Sequence, residues 1–153
     1  LCAQCPLAHL CAAHAAGTAL TLPRKAAPKA RRIEPVTLAL VRSPEGVLLQ
    51  QRPEKGLLAG LWQPVLWEDE SLSADEARTR LAALGVVCTT DAAKALRPAR
   101  HIFSHIEWHM GGIALRLPAQ AAPAGCVWAS REELRTTYTL PGAFSAYKDR
   151  MLE

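Results

Sequence analysis

The alternation of apolar and polar residues predicts a domain of mixed strands and helices that begins at Val36. Residues 36–42 and 47–52 are both rich in strand-forming side chains. The turn between them, Ser43-Pro44-Glu45-Gly46, has its proline and glycine at positions that a type I β-turn favours. We therefore predict that these two strands form a β-hairpin.

A second strand pair is predicted around a short turn later in the chain. Residues 101–103 form the first strand and residues 106–117 the second, in which apolar side chains occupy alternate positions. The alternation changes from even to odd positions at Gly111-Gly112. We interpret this change of phase as a β-bulge, which glycine within a strand often marks.

A helix is predicted over residues 73–84, because Ser73 and Glu76 have the spacing of a capping box and Gly85 stands where a glycine commonly ends a helix. Ser130 and Glu133 have the same capping-box spacing. Further helices are predicted at 8–16 and 141–152, and short strands at 86–89 and 127–128. We expect an α+β fold, a mixed sheet flanked by helices in an α/β/α sandwich-like arrangement.

Charge and hydropathy narrow the class of protein only slightly. The 153 residues carry a formal net charge of +4, which permits a nucleic-acid partner without requiring one. No apolar run approaches the roughly 20 residues of a membrane span, and the N-terminus lacks the pattern of a signal peptide. We expect a soluble, intracellular protein that begins partway into a longer chain.

The chain divides into a cysteine-rich segment (1–17), a basic proline-rich linker (18–35) and a globular domain (36–153). The linker is either a solvated connector or a connector that also lies along DNA phosphates. In the second case its candidate phosphate contacts are Lys25, Lys29, Arg31 and Arg32.

Three of the five cysteines fall in the first eleven residues, with the spacing C-x2-C-x5-C. Thiolates this close in sequence can converge on one soft metal centre, but three ligands do not complete a tetrahedral site. A fourth ligand is either absent or supplied by His9 or His14. We interpret Cys88 and Cys126, which stand apart, as small core residues. The three clustered cysteines are Cys2, Cys5 and Cys11.

This cysteine pattern resembles the end of the iron–sulfur cluster loop of helix-hairpin-helix DNA glycosylases, C-x6-C-x2-C-x5-C. The resemblance implies that Cys2, Cys5 and Cys11 ligate a 4Fe-4S cluster in a longer protein, whose first cysteine lies seven positions before Cys2. We therefore expect that this chain alone does not hold an intact cluster. A zinc site completed by a histidine is the alternative.

The globular part resembles the Nudix-like C-terminal domain of A/G-specific adenine glycosylases of the MutY type. The resemblance is carried by Gln50-Gln51-Arg52-Pro53, by residues 56–62 (GLLAGLW), by residues 101–105 (HIFSH) and by Thr139-Leu140-Pro141. One departure is Trp62-Gln63-Pro64-Val65, where the family often has W-E-F-P. The strand after Trp62 is the element that this departure affects.

A Nudix hydrolase carries R-E-x-x-E-E-x-G on its helix, where the glutamates hold divalent cations. Aligned on Gly85, this chain has Arg78, Thr79, Ala82 and Ala83 at the corresponding positions. Alanine and threonine do not replace a carboxylate as a ligand of a hard cation. The resemblance is therefore to a scaffold without its hydrolase chemistry. We interpret Asp75 and Glu76 as charges at the helix N-terminus.

The resemblance implies that the turn Phe103-Ser104-His105 approaches 8-oxoguanine. Guanine offers N7 as an acceptor in the major groove, and oxidation at C8 turns N7 into a donor beside a new carbonyl oxygen. A hydroxyl can accept from one and donate to the other, so Ser104 is the candidate discriminator. His105 contacts the surroundings of the lesion or a phosphate, and Phe103 supports the turn or packs near the base. His101 and His109 are interpreted as structural, and Trp62, Trp108 and Trp128 as core residues.

The function implied is lesion recognition by a bacterial adenine DNA glycosylase, which excises adenine mispaired with 8-oxoguanine in base excision repair. Its partner is duplex DNA that contains this mispair, and its location is the cytoplasm. In this family the catalytic Glu and Asp lie in the helix-hairpin-helix domain, so we expect no catalytic residue in this chain. The alternatives are a module whose linker binds a repair or replication protein, and a Nudix-type nucleotide pyrophosphohydrolase.

Overall fold

The computed structural model describes residues 1–25, 30–89, 92–138 and 140–153. Two compact units are present, Leu1–Ala30 and Arg31–Glu153. Within the described residues, no helix is long and apolar enough to cross a membrane.

The first unit contains only short helices, and its described helical residues are not buried. The helix predicted over 8–16 is interrupted at Cys11, whose backbone is extended (φ −89°, ψ 105°). Short helices are marginal in water without a packed face, which explains the interruption. The elements are 3₁₀ turns at Cys2–Gln4, Ala8–Leu10 and Ala19–Thr21, and helix α1 at Ala12–Ala15.

The described residues of the second unit contain seven strands: β1 (Arg32–Ser43), β2 (Gly46–Gln51), β3 (Trp62–Glu68), β4 (Lys94–Ala95), β5 (Ala99–Ile102), β6 (Ile106–Arg116) and β7 (Cys126–Ala129). They form one mixed sheet in the order β4-β6-β1-β3-β2-β7, with β5 also paired to β6. The β1–β6 pair is parallel, and the other pairs are antiparallel.

Strand β1 begins at Arg32, inside the segment predicted to be linker (18–35) and four residues before the predicted strand start at Val36. The assignment of residues 32–35 to the linker is therefore wrong. These residues pair in register with residues 106–109 of β6. Pro35 is tolerated because the pairing of β1 with β3 begins only at the next residue, Val36.

Both faces of the sheet are buried, so the molecule has the expected three-layer arrangement. On one face, side chains of β1 such as Leu38 and Leu40 pack against a C-terminal segment that includes Phe144. On the other face, β1 and β6 pack against helix α2 (Ala74–Ala83) through Leu81. The predicted α+β class is confirmed. The helical elements here are α2 (Ala74–Ala83), α3 (Glu133–Thr136), a 3₁₀ helix (Gly142–Tyr147) and α4 (Lys148–Leu152).

The predicted bulge at Gly111-Gly112 is wrong. The β1–β6 register is unbroken from the Arg32–Ile106 pair to the Arg42–Arg116 pair. Trp108 packs in the cluster that contains Phe144, whereas Ile113 packs in the cluster around α2. The apolar positions change from even to odd because different halves of β6 bury side chains on opposite faces of a sheet that is covered on both sides.

Gly112 permits the close approach of β6 to β1. Its φ is +135°, and a Cβ at this position would lie 1.9 Å from the carbonyl oxygen of Leu38. By contrast, a Cβ on Gly111 would meet nothing within 4 Å. The close parallel pairing at the middle of β6 therefore requires glycine at only one of the two positions.

The strand predicted at 86–89 is absent, and residues 86–89 have no regular structure. The backbone N–H of Val87 donates to Oε1 of Gln120 at 2.8 Å, and the Gln120 amide donates to the Val87 carbonyl at 3.2 Å. A side-chain amide thus satisfies the backbone groups that a neighbouring strand would otherwise pair. The predicted strand at 127–128 is confirmed by β7.

The predicted helix caps are confirmed. Ser73 and Glu76 form a reciprocal capping box at the start of α2, and Gly85 follows its last turn with φ +95°. At the start of α3, Glu133 accepts from the Ser130 N–H at 2.9 Å, while the Ser130 hydroxyl accepts from the Glu133 N–H at 3.2 Å. The predicted terminal helix is a 3₁₀ segment followed by α4.

Candidate nucleic-acid interface

The turn between β5 and β6 presents Ser104 and His105 to solvent. It is closed by the Phe103 N–H, which donates to the Ile106 carbonyl at 2.8 Å. The Ser104 hydroxyl oxygen lies 3.0 Å from Nδ1 of His105. If Nδ1 is unprotonated it accepts the hydroxyl proton, and the serine oxygen then faces outward as an acceptor. If Nδ1 carries a proton, its N–H donates a hydrogen bond to the serine oxygen, and the serine hydroxyl can donate its own hydrogen outward.

Arg31, which precedes β1, and Arg32, its first residue, both hold this turn by hydrogen bonds. The Arg31 Nε donates to the Phe103 carbonyl at 3.1 Å, and the Arg32 N–H donates to the His105 carbonyl at 3.2 Å. Both arginines are exposed. The structure therefore brings two of the predicted phosphate contacts next to the predicted lesion-reading turn, although more than 70 residues separate them along the chain.

The turn rests on a buried carboxylate and a buried indole. Glu34 is only 5% exposed and Trp108 is fully buried. The Trp108 Nε1 donates to Oε2 of Glu34 at 3.1 Å, and the other Glu34 oxygen pairs with the Arg32 guanidinium. One carboxylate thus satisfies an indole N–H inside the core and a guanidinium beside the turn.

Phe103 supports the turn from below. Its ring meets the Trp108 ring edge to face, with centroids 5.1 Å apart, and the His101 ring at 4.6 Å. Phe103 is half-buried against the main core cluster. Of the two roles expected for Phe103, its packing supports the structural one. His101 therefore packs against the ring that supports the turn.

The Glu107 carboxylate and its partners His109 and Arg100 lie on the two strands that flank the turn. The Glu107 carboxylate accepts a hydrogen bond from Nε2 of His109 at 3.0 Å, and Nη1 of Arg100 lies 3.6 Å from the same carboxylate. The hydrogen bond with His109 lowers the pKa of Glu107, and the charges of Arg100 and Arg31 lower it further. His109 therefore has a local electrostatic partner, in line with the structural interpretation.

Sequence reasoning missed two residues that contact the buried Trp108, namely Glu34 and Arg52. Arg52 lies 5.8 Å from the Trp108 ring centroid, and its guanidinium contacts Gln63 at 3.0 Å and Glu68 at 2.7 Å. Its side chain is only 8% exposed. In the sequence Glu34 stands out only as an acidic residue in a basic segment, and Arg52 only as part of a family motif. Neither pattern shows that the residue is buried beside Trp108.

The other two predicted phosphate contacts precede the second compact unit in sequence. Lys25 is exposed in the first compact unit. Lys29 lies outside the described residues, as does Thr139 of the family motif. The phosphate role of these two lysines stays a prediction.

The cysteines do not form a metal centre here. Across the described ranges, which include Cys2, Cys5 and Cys11, no three His, Cys, Asp or Glu side chains are grouped closely enough to hold a metal ion. The ligand role of these cysteines in a longer protein stays a prediction. Burial raises the pKa of the Cys88 and Cys126 thiols, which is consistent with a packing role.

Of the three tryptophans expected in the core, only Trp108 is fully buried, whereas Trp62 and Trp128 are half-buried. The Trp62 ring packs edge to face on Tyr138, with centroids 5.1 Å apart. The Trp128 Nε1 donates to the Gln120 carbonyl at 2.7 Å. Both rings therefore have partners within the fold, as their expected packing role requires.

Helix α2 carries none of the acidic metal ligands of a Nudix helix. Thr79, Ala82 and Ala83 are exposed at the aligned positions. The nearby acids act as helix caps, because the hydrogen bonds of Glu76 with Ser73 lower the pKa of that carboxyl group. The helix instead contributes Ala77 and Leu81 to the core.

Comparison with known proteins confirms the resemblance that the motifs predicted. A model of the NUDIX domain family matches residues 36–150. The chain is 33% identical to the adenine DNA glycosylase of Homo sapiens, over 76% of this chain and 23% of the human protein. It is also 33% identical to that of Mus musculus, over 83% of this chain and 27% of the mouse protein. The chain thus spans about a quarter of the length of these relatives.

Solved structures agree with this likeness. One is the C-terminal domain of mouse MUTYH in complex with human PCNA, at 28% identity and a TM-score of 0.52, covering 76% of this chain and 88% of that domain. Another is the MutT protein of Methanosarcina mazei, at 20% identity and a TM-score of 0.60, covering 79% of this chain and 94% of MutT. The second likeness is one of fold alone.

Proposed function

This chain belongs to the NUDIX domain family, and from that premise we propose that it is the lesion-recognition domain of an adenine DNA glycosylase. Its task would be to hold the 8-oxoguanine that lies opposite the mispaired adenine. The observation that carries this proposal is the exposed Ser104–His105 pair on a turn whose support is buried. The two glycosylase relatives support the enzyme class.

The chemistry of the turn matches the change that oxidation makes in guanine. The lesion presents an N–H at position 7 and a carbonyl oxygen at position 8, where guanine presents only an acceptor. When Nδ1 of His105 is unprotonated, it accepts a hydrogen bond from the Ser104 hydroxyl, and the Ser104 oxygen accepts from the lesion N–H. In the other tautomer the hydroxyl donates to the carbonyl. The first arrangement favours the lesion over guanine, because guanine N7 offers no hydrogen to the serine oxygen, whereas a donating hydroxyl can also bond to guanine N7.

The arginines beside the turn provide the sequence-independent part of binding. Arg31 and Arg32 are exposed, and a guanidinium group binds phosphate oxygens in a bidentate manner. Lys25 and Lys29 extend the same positive charge along the preceding segment. Contacts of this kind make affinity fall steeply as the salt concentration rises.

We assign cleavage of the glycosidic bond to a domain that precedes this chain in a longer protein. Glycosylases flip the target base out of the stack before cutting it. This chain holds the opposite strand in register while that occurs and performs no cleavage alone. Cys2, Cys5 and Cys11 are assigned to a cluster that the longer protein completes, in which a 4Fe-4S group serves as a structural element.

A second function, binding of a repair or replication protein, is favoured by one observation. The similar C-terminal domain of mouse MUTYH was solved in complex with human PCNA. We therefore propose that this chain also binds a protein of DNA replication or repair. No observation favours pyrophosphohydrolase activity, since the described part of α2 lacks the carboxylates that it requires.

The test is a fluorescence-anisotropy titration of this chain with two duplexes, one with 8-oxoguanine opposite adenine and one with guanine. We expect tighter binding of the lesion duplex. Ser104→Ala should reduce this preference by about 1–3 kcal/mol, the cost of one lost polar pair. Ser145→Ala, which removes an exposed hydroxyl from the C-terminal 3₁₀ helix, is the matched control and should leave it unchanged. Equal affinity of the unaltered chain for both duplexes would refute the proposal.

A further inference from the structure

A second group of cations lies at the C-terminal ends of β1 and β6, the strands whose N-terminal ends lie beside the turn. Arg42 of β1 and Arg116 of β6 occupy paired positions on neighbouring parallel strands. Ten residues along each strand separate this pair from the Arg32–Ile106 pair beside the turn. At about 3.3 Å per residue the two sites are on the order of 30 Å apart. The second group is therefore independent of the proposed lesion site.

A cavity of about 330 Å³ opens at this second group. Of the described residues that line it, Arg42, Lys94, Arg116 and Arg150 carry positive charge, and Glu153 alone carries negative charge. Its apolar lining comes from Leu40 of β1, from Ala114 and Leu115 of β6, and from Ala92. The volume falls within the range of small-molecule sites, about 300–1,000 Å³.

The cations of this cavity repel one another in the unliganded chain. Like charges at directly paired strand positions are destabilising. The Arg42 side chain is only 21% exposed, and burial lowers its pKa, as do the charges of Arg116 and Arg131. Glu153 opposes this effect from 3.8 Å. A bound anion would replace repulsion with attraction at each of these positions.

The cavity is distinct from the Nudix helix. Leu40, in its lining, belongs to the core cluster that contains Met151 of α4. Helix α2 packs on the opposite face of the sheet through Ala77 and Leu81. A ligand in this cavity would therefore not contact the positions that align with the hydrolase motif.

We propose that this cavity binds a compact polyanion with two or more phosphate groups. Arg42 and Arg116 come from paired positions on adjacent strands and both line the cavity, an arrangement suited to the oxygens of neighbouring phosphates. Lys94 and Arg150 add charge from the walls. The cavity is too small for a duplex, and its net positive lining selects for charge density rather than for a base or a peptide backbone.

The experiment is isothermal titration calorimetry of this chain with sodium tripolyphosphate at physiological ionic strength. Saturable binding with one site is expected. Arg116→Ala should weaken the affinity at least about tenfold, because one charge-assisted contact is lost. Arg100→Ala removes an exposed strand arginine at the other end of the sheet and should leave the affinity within about twofold of the parent value. Absence of binding at millimolar ligand would overturn the proposal.

Two further measurements test whether the binding depends on phosphate and on the arginines of the cavity rather than on net charge. A tetraglutamate peptide that bound as tightly as tripolyphosphate would overturn the assignment to phosphate. Equal losses in the Arg116→Ala and Arg100→Ala variants would reduce the effect to net charge and also overturn it. Urea unfolding of Arg116→Ala serves as the folding control, and because the change removes a like-charge pair, its midpoint is expected to be unchanged or raised.

Discussion

Helix α2 and the β5–β6 turn differ in where their structural support comes from. Helix α2 is specified by residues within its own sequence, with a capping box at Ser73 and Gly85 after its last turn. The turn is held by Arg31, by Arg32 and, through the buried Trp108, by Glu34, all of which are distant in sequence. The helix can therefore persist as a scaffold without its metal ligands, whereas the turn depends on the pairing of β1 with β6.

The largest effect is expected from Gly112→Ala, which should disrupt that pairing. The new Cβ would lie 1.9 Å from the Leu38 carbonyl oxygen, so the strands must separate or the backbone must rearrange. We expect the free energy of unfolding to fall by at least about 3 kcal/mol in urea denaturation.

The neighbouring glycine provides the control. Gly111→Ala meets no atom within 4 Å and should cost less than about 1 kcal/mol. Similar losses at the two positions would show that the close approach of β6 to β1 is not what requires glycine there.

An intermediate effect is expected from Glu34→Ala. The change leaves the buried Trp108 N–H without its acceptor and releases Arg32 beside the turn. The unfolding free energy should fall by about 1–3 kcal/mol, and lesion-duplex affinity should fall with it. Glu34→Gln retains an acceptor for Trp108 and should recover part of the stability.

Ser73→Ala is the matched change on the helix. It removes the N-cap of α2 and should cost about 1 kcal/mol of stability, in the usual range for such caps. It should leave DNA affinity unchanged. If Ser73→Ala lowered the affinity for the lesion duplex as much as Glu34→Ala does, the helix and the turn would not have the separate roles assigned to them.

The same contrast explains which features the sequence could predict. The capping boxes and the turn after β5 depend on residues close together, and local spacing was sufficient to find them. The first predicted hairpin is right only beside its turn, where Arg42 pairs with Val47 and Ser43 with Gly46, because β3 lies between β1 and β2 beyond that point. The start of β1 at Arg32 depends on a parallel partner more than 70 residues away. The burial of both faces of β6, which produced the false bulge at Gly111-Gly112, is likewise a property of the assembled sheet.

The candidate site was predicted in its exposed part and missed in its buried part. Ser104 and His105 were identified by a family motif, and the structure leaves both of them accessible. Glu34 and Arg52 belong to the site only because the folded sheet places Trp108 in contact with each of them. Convergence of this kind follows from strand register, which one sequence does not reveal.

The most direct test of the account is an NMR titration of this chain with a duplex that contains 8-oxoguanine opposite adenine. The backbone amide signals of Ser104 and His105 should shift as the lesion duplex is added, and shift less with the guanine duplex. The amides of Ala82 and Ala83 on α2 should stay in place with both. Shifts on α2 with no change at Ser104 and His105 would contradict the assignment of lesion recognition to the turn.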